Sequence, residues 1–240
     1  MKYLSIAFHL LTTLPVRAPQ DWQPGDSGRS AGWYPFVGLV VGALVAVVYL
    51  LCTSFFSPLV TAALSLTAWV VLTGGLHLDG LSDCCDGLLH PSSPERRLEI
   101  MKDSRLGAFG GIGLVLVLTL KVSALASLPP GHLIPTILLA ASLGRWSILP
   151  AGLQPLARPG GMGADFASGL RKPALLWGGL IPLGLAVYLG IQGMIALGLS
   201  LLAFFSLLRF VRARIGGVTG DVFGLVVEVT ETLTLLILSA

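Results

Sequence analysis

Three aspartates, Asp79, Asp83 and Asp86, lie within the segment "GGLHLDGLSDCCDGLLH" (residues 74–90), directly after an apolar run. If residues 76–88 are helical, about 100° of rotation per residue places the three at ~0°, ~40° and ~−20°, on one narrow stripe. Like charges at this spacing repel, and residues 77–90 contain no Lys or Arg to offset them. Magnesium binds carboxylate oxygens and, with them, phosphates. We therefore interpret this acidic stripe as a site of metal-assisted chemistry on a phosphorylated substrate, rather than as a solvated helix face.

A second group of acids, Asp221, Glu228 and Glu231, falls in the last apolar run at ~0°, ~−20° and ~−80°. A carboxylate at the centre of a bilayer costs about 2.5–3.5 kcal/mol on insertion scales, so the two glutamates must face protein, water or a ligand. Arg145, inside another apolar run, is one candidate partner, and the site itself is the other. We expect one glutamate to be structural and one to bind substrate or metal; the sequence does not say which.

The composition indicates which elements must position these residues. The chain has 240 residues, of which 54% are hydrophobic and only 11% charged, far too apolar for a soluble domain of this size. A spanning helix needs about 20 mostly apolar residues. Seven runs approach that length: 36–56, 58–76, 108–128, 133–150, 174–189, 191–208 and 222–239. The prediction is an all-α, polytopic membrane helical bundle with about seven transmembrane helices, built as a single integral membrane domain over residues 1–240.

The charged residues predict the orientation of this bundle. With seven spans, the N-terminal segment and the loops 77–107, 151–173 and 209–221 share one side, and they hold thirteen of the fifteen basic residues. The positive-inside rule places that side, and therefore the acidic stripe, in the cytoplasm. Membrane lipid is the expected surrounding, and nothing in the modest net charge of +3 indicates nucleic acid. The three cysteines form neither a spaced metal set nor a disulfide framework.

The segment after the stripe supplies candidate phosphate ligands. Arg96, Arg97 and Arg105 could bind phosphate as bidentate forks, and Lys102 as a point charge. The alternative is that these arginines pair with Glu95, Glu99 and Asp103 on a surface helix. The general base is one of the stripe aspartates or Asp103. His77 is a candidate for orienting a carboxylate or the substrate, and Asp221, after the glycine-rich "GGVTG", for contact with the substrate.

These motifs resemble the cobalamin synthase (adenosylcobinamide-GDP ribazoletransferase) family. The resemblance rests on "GGLHLDGLSDCCDGLL" and "RRLEIMKDSRLGAFG", on the early "LTTLPV" and "GWYPFVGLVVG", and on "GGVTGDVFGLVVEVTE" near the end. It runs in order along nearly the whole chain. Ser82, Cys84 and Cys85, and the pair Thr12-Thr13, depart from the family pattern, which concerns the fit of the substrate more than the chemistry.

The resemblance implies a specific reaction. Members of the family join α-ribazole, or its 5′-phosphate, to the phosphate that links cobinamide to GMP in adenosylcobinamide-GDP, and release GMP. It also implies magnesium, bound here by Asp79, Asp83 and Asp86, and a location in the bacterial inner membrane with the active site facing the cytoplasm. Other enzymes of cobalamin assembly and further copies of the chain stay open as partners.

Two other functions stay open. "DCCDG" matches the opening of the CDP-alcohol phosphotransferase motif, but the Ala-Arg pair that follows in that family is absent. A small cation-coupled transporter would also use carboxylates in a membrane. Transporter sites lie near the midplane between internally repeated halves, whereas this chain shows no repeat and clusters its acids at one edge.

Overall fold

The computed structural model describes residues 1–240 and shows α-helices joined by short turns, with one isolated β-bridge between Leu156 and Val218. The α-helices, in chain order, are α1 (Lys2–Leu11), α2 (Asp26–Arg29), α3 (Tyr34–Thr53), α4 (Pro58–Thr73), α5 (Leu76–Leu89), α6 (Pro94–Ile100), α7 (Ala108–Ser127), α8 (Leu133–Ala151), α9 (Gly161–Gly169), α10 (Pro173–Gly178), α11 (Leu180–Tyr188), α12 (Gly190–Ile215) and α13 (Gly220–Ser239). This confirms the all-α prediction.

The apolar helices support a polytopic membrane protein. Five are long and apolar enough to cross a membrane: α3 with its preceding turn, α7, α8, α12 and α13. The bent pair α4 and α5 brings the number to six when it is counted as one crossing, and Pro173–Tyr188 is a shorter apolar stretch. The predicted number of seven is therefore approximate, since it is reached only when both of these are counted.

Two boundaries differ from the sequence-based expectation. The run 174–189 is broken into α10 and α11 at Gly179, and α12 continues to Ile215 instead of ending near 208. The basic residues Arg209, Arg212 and Arg214, which we expected in a loop, therefore lie on the last turns of α12. Their charges suit this position because cations are favourable at the C-terminal end of a helix.

The core is organised around α8 and α13. Helix α8 packs against α3 and α13, and α13 also packs against α5, α7 and α12. These two helices are largely buried, whereas α3, α7 and α12 leave large apolar side chains such as Leu51, Val115 and Leu202 exposed. Lipid tails cover such a surface without a hydrophobic cost, as the membrane assignment requires.

A sharp turn between α4 and α5 positions the acidic stripe. Gly74 and Gly75 adopt positive φ angles of 63° and 70°, a region in which glycine is favoured, and the two helices are bent by 91°. The last carbonyls of α4 are partly satisfied from outside the helix, because Thr13 donates its N–H to Leu72 O (2.8 Å) and its hydroxyl to Val71 O (2.8 Å). Helix α5 thereby leaves the direction of α4 and lies against the first turns of α7 and α13.

Candidate active site

The acidic stripe forms as predicted, because residues 76–89 are helical and carry Asp79, Asp83 and Asp86 on one side of α5. Asp86, at one end of the stripe, accepts hydrogen bonds from Gly107 N (2.9 Å) and Gly110 N (2.8 Å). These N–H groups belong to the first turn of α7, where no intrahelical acceptor is available and a negative charge is favoured. A Cβ on either glycine would lie 2.3 Å from an Asp86 oxygen, so this contact depends on glycine.

The other end of the stripe meets the first turn of α13. A Cβ on Gly80 would lie 2.6 Å from the carbonyl oxygen of Asp221, and one on Gly224 would lie 2.7 Å from that of His77. Backbones therefore approach directly here, and Asp221 joins the stripe from the neighbouring helix. Its carboxylate accepts the Thr219 hydroxyl (3.1 Å) and contacts Arg158 (3.3 Å).

A partly open cavity of about 520 Å³, called the aromatic cavity below, lies beside this end, between α1, α5, α9 and α13. Its polar lining includes His77 and three carboxylates, and it contains no Lys or Arg. Its apolar lining includes Trp22, Tyr34, Phe166 and Phe223. The ring of Phe166 lies 5.7 Å from that of Tyr34 in a tilted arrangement and 5.2 Å from that of Phe223 in an edge-to-face one, measured between ring centroids. The three carboxylates are those of Asp79, Asp165 and Asp221.

Asp165 is a site residue that the sequence analysis missed. Its carboxylate accepts hydrogen bonds from Gly25 N (2.7 Å) and from the hydroxyl of Ser27, and these bonds join α9 to the first turn of α2. The only signal in the sequence was an acid in the glycine-rich "GMGADF" of a loop otherwise rich in basic residues. His77 lines the same cavity, but its Nε2 is buried and has no hydrogen-bond partner in the protein.

An open groove of about 560 Å³ lies at the Asp86 end of the stripe. Its charged lining includes Arg96, which pairs with Glu99 (2.8 Å), and Arg105, which pairs with Asp103 (2.6 Å). Both guanidinium groups are largely exposed, at 65% and 87% of the side chain. Hydrogen bonds from Arg105 lower the pKa of Asp103 to about 2, which makes Asp103 a weak proton acceptor.

Arg97 behaves differently from its neighbour Arg96. It is buried, and it donates from Nε to His90 O (3.2 Å) and from Nη1 to Arg214 O (3.1 Å). It therefore ties α6 to the C-terminal end of α12, and it does not line the groove. Lys102, the remaining candidate phosphate ligand, is exposed and lies outside both the aromatic cavity and the open groove.

Glu228 and Glu231 form a buried ion cluster with two cations from other helices. Lys121 of α7 contacts Glu228 (2.6 Å) and Glu231, and Arg145 of α8 contacts Glu231. Neither glutamate lines the aromatic cavity or the open groove. The expected division into one structural glutamate and one substrate-binding glutamate is therefore absent from this geometry: both carboxylates are neutralised inside the bundle, and Lys121 is the partner that the sequence analysis did not foresee.

The metal-binding prediction has a more limited structural basis. No three His, Cys, Asp or Glu side chains converge closely enough in the structure to hold a metal ion. The donor chemistry nevertheless suits a hard divalent cation, because the stripe concentrates carboxylate oxygens and Asp86 is already held in place by backbone N–H groups.

Together these features define an all-α membrane protein with a carboxylate-rich site at one end of the bundle. The profile of the cobalamin-5-phosphate synthase family matches residues 3–239. A protein of Stutzerimonas stutzeri named adenosylcobinamide-GDP ribazoletransferase is 42% identical, over 95% of this chain and 94% of its own length. Proteins of the same name from Desulfitobacterium hafniense and Pseudomonas paraeruginosa are 40% and 41% identical, over 98% and 100% of this chain and 96% and 98% of their own lengths. No solved structure matches. The chain belongs to the cobalamin-5-phosphate synthase family, as the resemblance indicated.

Proposed function

We propose that this chain joins α-ribazole, or its 5′-phosphate, to the cobinamide phosphate of adenosylcobinamide-GDP and releases GMP. The observation that carries the proposal is the match, along almost the whole of both chains, to relatives named for this transfer. The site agrees with it, because an acidic stripe separates the aromatic cavity from an open groove with two exposed guanidinium groups. Two unlike spaces beside one cluster of carboxylates suit a transferase with two unlike substrates.

The chemistry is a displacement at phosphorus. A ribose hydroxyl oxygen of the nucleoside forms a bond to the cobinamide phosphorus, the bond from that phosphorus to the oxygen of GMP breaks, and GMP leaves with the electron pair. The hydroxyl proton passes to a carboxylate of the stripe. Among these carboxylates, that of Asp79 lines the aromatic cavity. Asp103 is a poorer acceptor because its ion pair with Arg105 holds its pKa near 2. Positioning and charge neutralisation supply most of the catalysis in such reactions.

Magnesium is our proposed cofactor, with Asp79, Asp83 and Asp86 as ligands of one or more ions spaced along the stripe. Support comes from the donor set, because one helix carries three carboxylates and backbone N–H groups hold that of Asp86 in place. When bound, the ion would neutralise charge on the pyrophosphate oxygens. Arg96 and Arg105 would exchange their carboxylate partners for phosphate oxygens, which guanidinium groups bind in the same bidentate geometry.

We further propose that this end of the bundle faces the cytoplasm of a bacterial inner membrane. Thirteen of the fifteen basic residues belong to segments on this side. Basic residues near the ends of spanning helices are retained in the cytoplasm. A nucleotide product such as GMP would then be released where nucleotides are used.

The test uses the purified full-length protein in detergent with adenosylcobinamide-GDP, α-ribazole and magnesium, and measures GMP release and the cobalamin product. We expect Asp83→Asn to abolish turnover at saturating magnesium while the melting temperature stays close to that of the native protein, because removing one charge from a repulsive cluster costs little stability. Asp21→Asn, at an exposed aspartate outside the site, is the matched control.

Two results would contradict the proposal. Turnover by Asp83→Asn equal to that of the control would remove the stripe from the chemistry. Absence of GMP release by the native protein, together with turnover of a CDP-alcohol, would favour the other phosphotransferase class. Activity in detergent also separates an enzyme from a transporter, since transport requires a sealed membrane.

A further inference from the structure

We propose that the two substrates bind at opposite ends of the acidic stripe: the benzimidazole nucleoside in the aromatic cavity, and the guanine nucleotide arm of the corrinoid in the open groove. The inference rests on the proposed function and assigns its two substrates to places in the structure. Neither space is distinguished by sequence pattern alone, because the residues of the cavity come from α1, α5, α9, α13 and the segment between α1 and α2.

The size of the aromatic cavity suits the smaller of the two substrates. Its volume of about 520 Å³ lies in the range of roughly 300–1,000 Å³ that holds a small organic ligand. A nucleoside fits in this space. A corrinoid does not, so the substrate that carries one must keep most of its mass outside the protein.

The chemistry of the cavity points to the same substrate. The base of α-ribazole is a neutral, planar and largely apolar bicycle, and the rings of Trp22, Phe166 and Phe223 provide flat apolar surface for it. Its ribose offers hydroxyl donors, for which Asp79 and Asp165 are acceptors. The cavity lining has no Lys or Arg to bind a pyrophosphate directly, whereas the groove lining has two arginines, which favours the groove for the nucleotide arm.

The open groove has the opposite character. Arg96 and Arg105 are exposed, and each is held only by a single carboxylate partner at the surface. Such exposed pairs are weak, so a phosphate can displace the carboxylate at little cost. The groove is also open on one side, which leaves room for the corrinoid beside the bundle.

The length of the stripe relates the two sites. Asp79 borders the cavity and Asp86 borders the groove, and seven residues of helix separate them by about 10 Å along the axis. The attacking hydroxyl would then enter from the cavity side, and GMP would leave toward the groove side. The transferred phosphorus would lie over the middle of the stripe, with the entering and leaving oxygens on opposite sides, as in-line displacement requires.

The test measures KM for each substrate separately in the detergent-purified protein. We expect Trp22→Leu to raise KM for α-ribazole about five- to tenfold through lost stacking and to leave KM for adenosylcobinamide-GDP unchanged. We expect Arg105→Gln to raise KM for adenosylcobinamide-GDP about tenfold or more and to leave KM for α-ribazole unchanged. GMP should inhibit competitively against adenosylcobinamide-GDP and not against α-ribazole.

A second variant keeps the test decisive if Trp22→Leu fails to fold. Met162 is largely exposed at the cavity rim, so Met162→Glu should be tolerated and should add a fourth negative charge there. It should raise KM for the 5′-phosphate of α-ribazole several-fold more than KM for α-ribazole itself, which also distinguishes the two acceptors. KM effects in the reverse pattern, or equal effects on both substrates, would overturn the assignment. Absence of turnover by the native protein would instead refute the proposed function.

Discussion

Replacing Lys121 by Met should destabilise the bundle strongly without touching either substrate site. Lys121 is 2% exposed and lies between Glu228 (2.6 Å) and Glu231, and Glu231 also contacts Arg145. Two cations and two carboxylates make the cluster electrically neutral. The substitution removes one cation, so that Glu228 loses its ion-pair partner in the interior.

The expected magnitude follows from this geometry. Removing one partner of a buried ion pair costs about 3–5 kcal/mol, because a charge is left desolvated and uncompensated. In a chain of this length, 1 kcal/mol corresponds to roughly 2–4 °C in melting temperature, which gives a decrease of about 6–20 °C. Isosteric neutralisation of both partners is far less costly, so the double variant Lys121→Met with Glu228→Gln should recover most of the loss.

The assay is thermal unfolding of the detergent-purified protein, with GMP release measured at a temperature where all variants are folded. Lys172→Met, at an exposed lysine, is the matched control. A melting temperature of Lys121→Met equal to that of this control would refute the prediction. So would a double variant that melts no higher than Lys121→Met alone. Loss of turnover by Lys121→Met at an unchanged melting temperature would also refute it, because the cluster would then take part in the reaction.

Three further outcomes are expected. Gly110→Ala should reduce turnover at least tenfold, since its methyl group would displace the Asp86 carboxylate. The turnover of this variant should resemble that of Asp86→Ala. Arg97→Lys should lower the melting temperature and leave both KM values unchanged, because a lysine cannot reproduce the two guanidinium contacts to backbone carbonyls. The hydrogen bond from Lys2 lowers the pKa of Asp26 from 3.8 to about 2, so the stabilisation from this pair is complete above pH 3.8 and disappears as the pH falls through 2. The free energy of unfolding, measured across that range, should show this loss of stability. The pH dependence due to this pair should be absent from Asp26→Asn.

The positions of the helices were largely predictable from the sequence, because lipid demands an unbroken apolar stretch wherever a helix crosses. The predicted runs 108–128 and 133–150 correspond to Ala108–Ser127 and Leu133–Ala151. The break at Gly179 was not predicted, since neither composition nor hydropathy changes there. The extension of α12 to Ile215 was not predicted, because the basic residues of its last turns are also typical of a cytoplasmic loop.

The site was predictable only along a single helix. Periodicity placed Asp79, Asp83 and Asp86 on one side of α5, as the structure shows. It could not find Asp165, which reaches the cavity from a different helix, or Lys121, whose partners lie 107 and 110 residues further along the chain. Contacts of this kind depend on how each helix is rotated about its axis when it packs, and a hydropathy pattern that is apolar on all sides does not specify that rotation.

The buried cluster also constrains how the protein is made. Both carboxylates are on α13, which leaves the ribosome after α7 and α8, the helices that carry Lys121 and Arg145. At synthesis rates of about 5–20 residues per second, the chain between Lys121 and Glu228 takes roughly 5–20 s to appear. During that interval two cations lack their counter-ions, and a chain that terminates before α13 keeps them unpaired permanently. The cluster therefore becomes electrically neutral only once α13 has been made and has packed against α7 and α8.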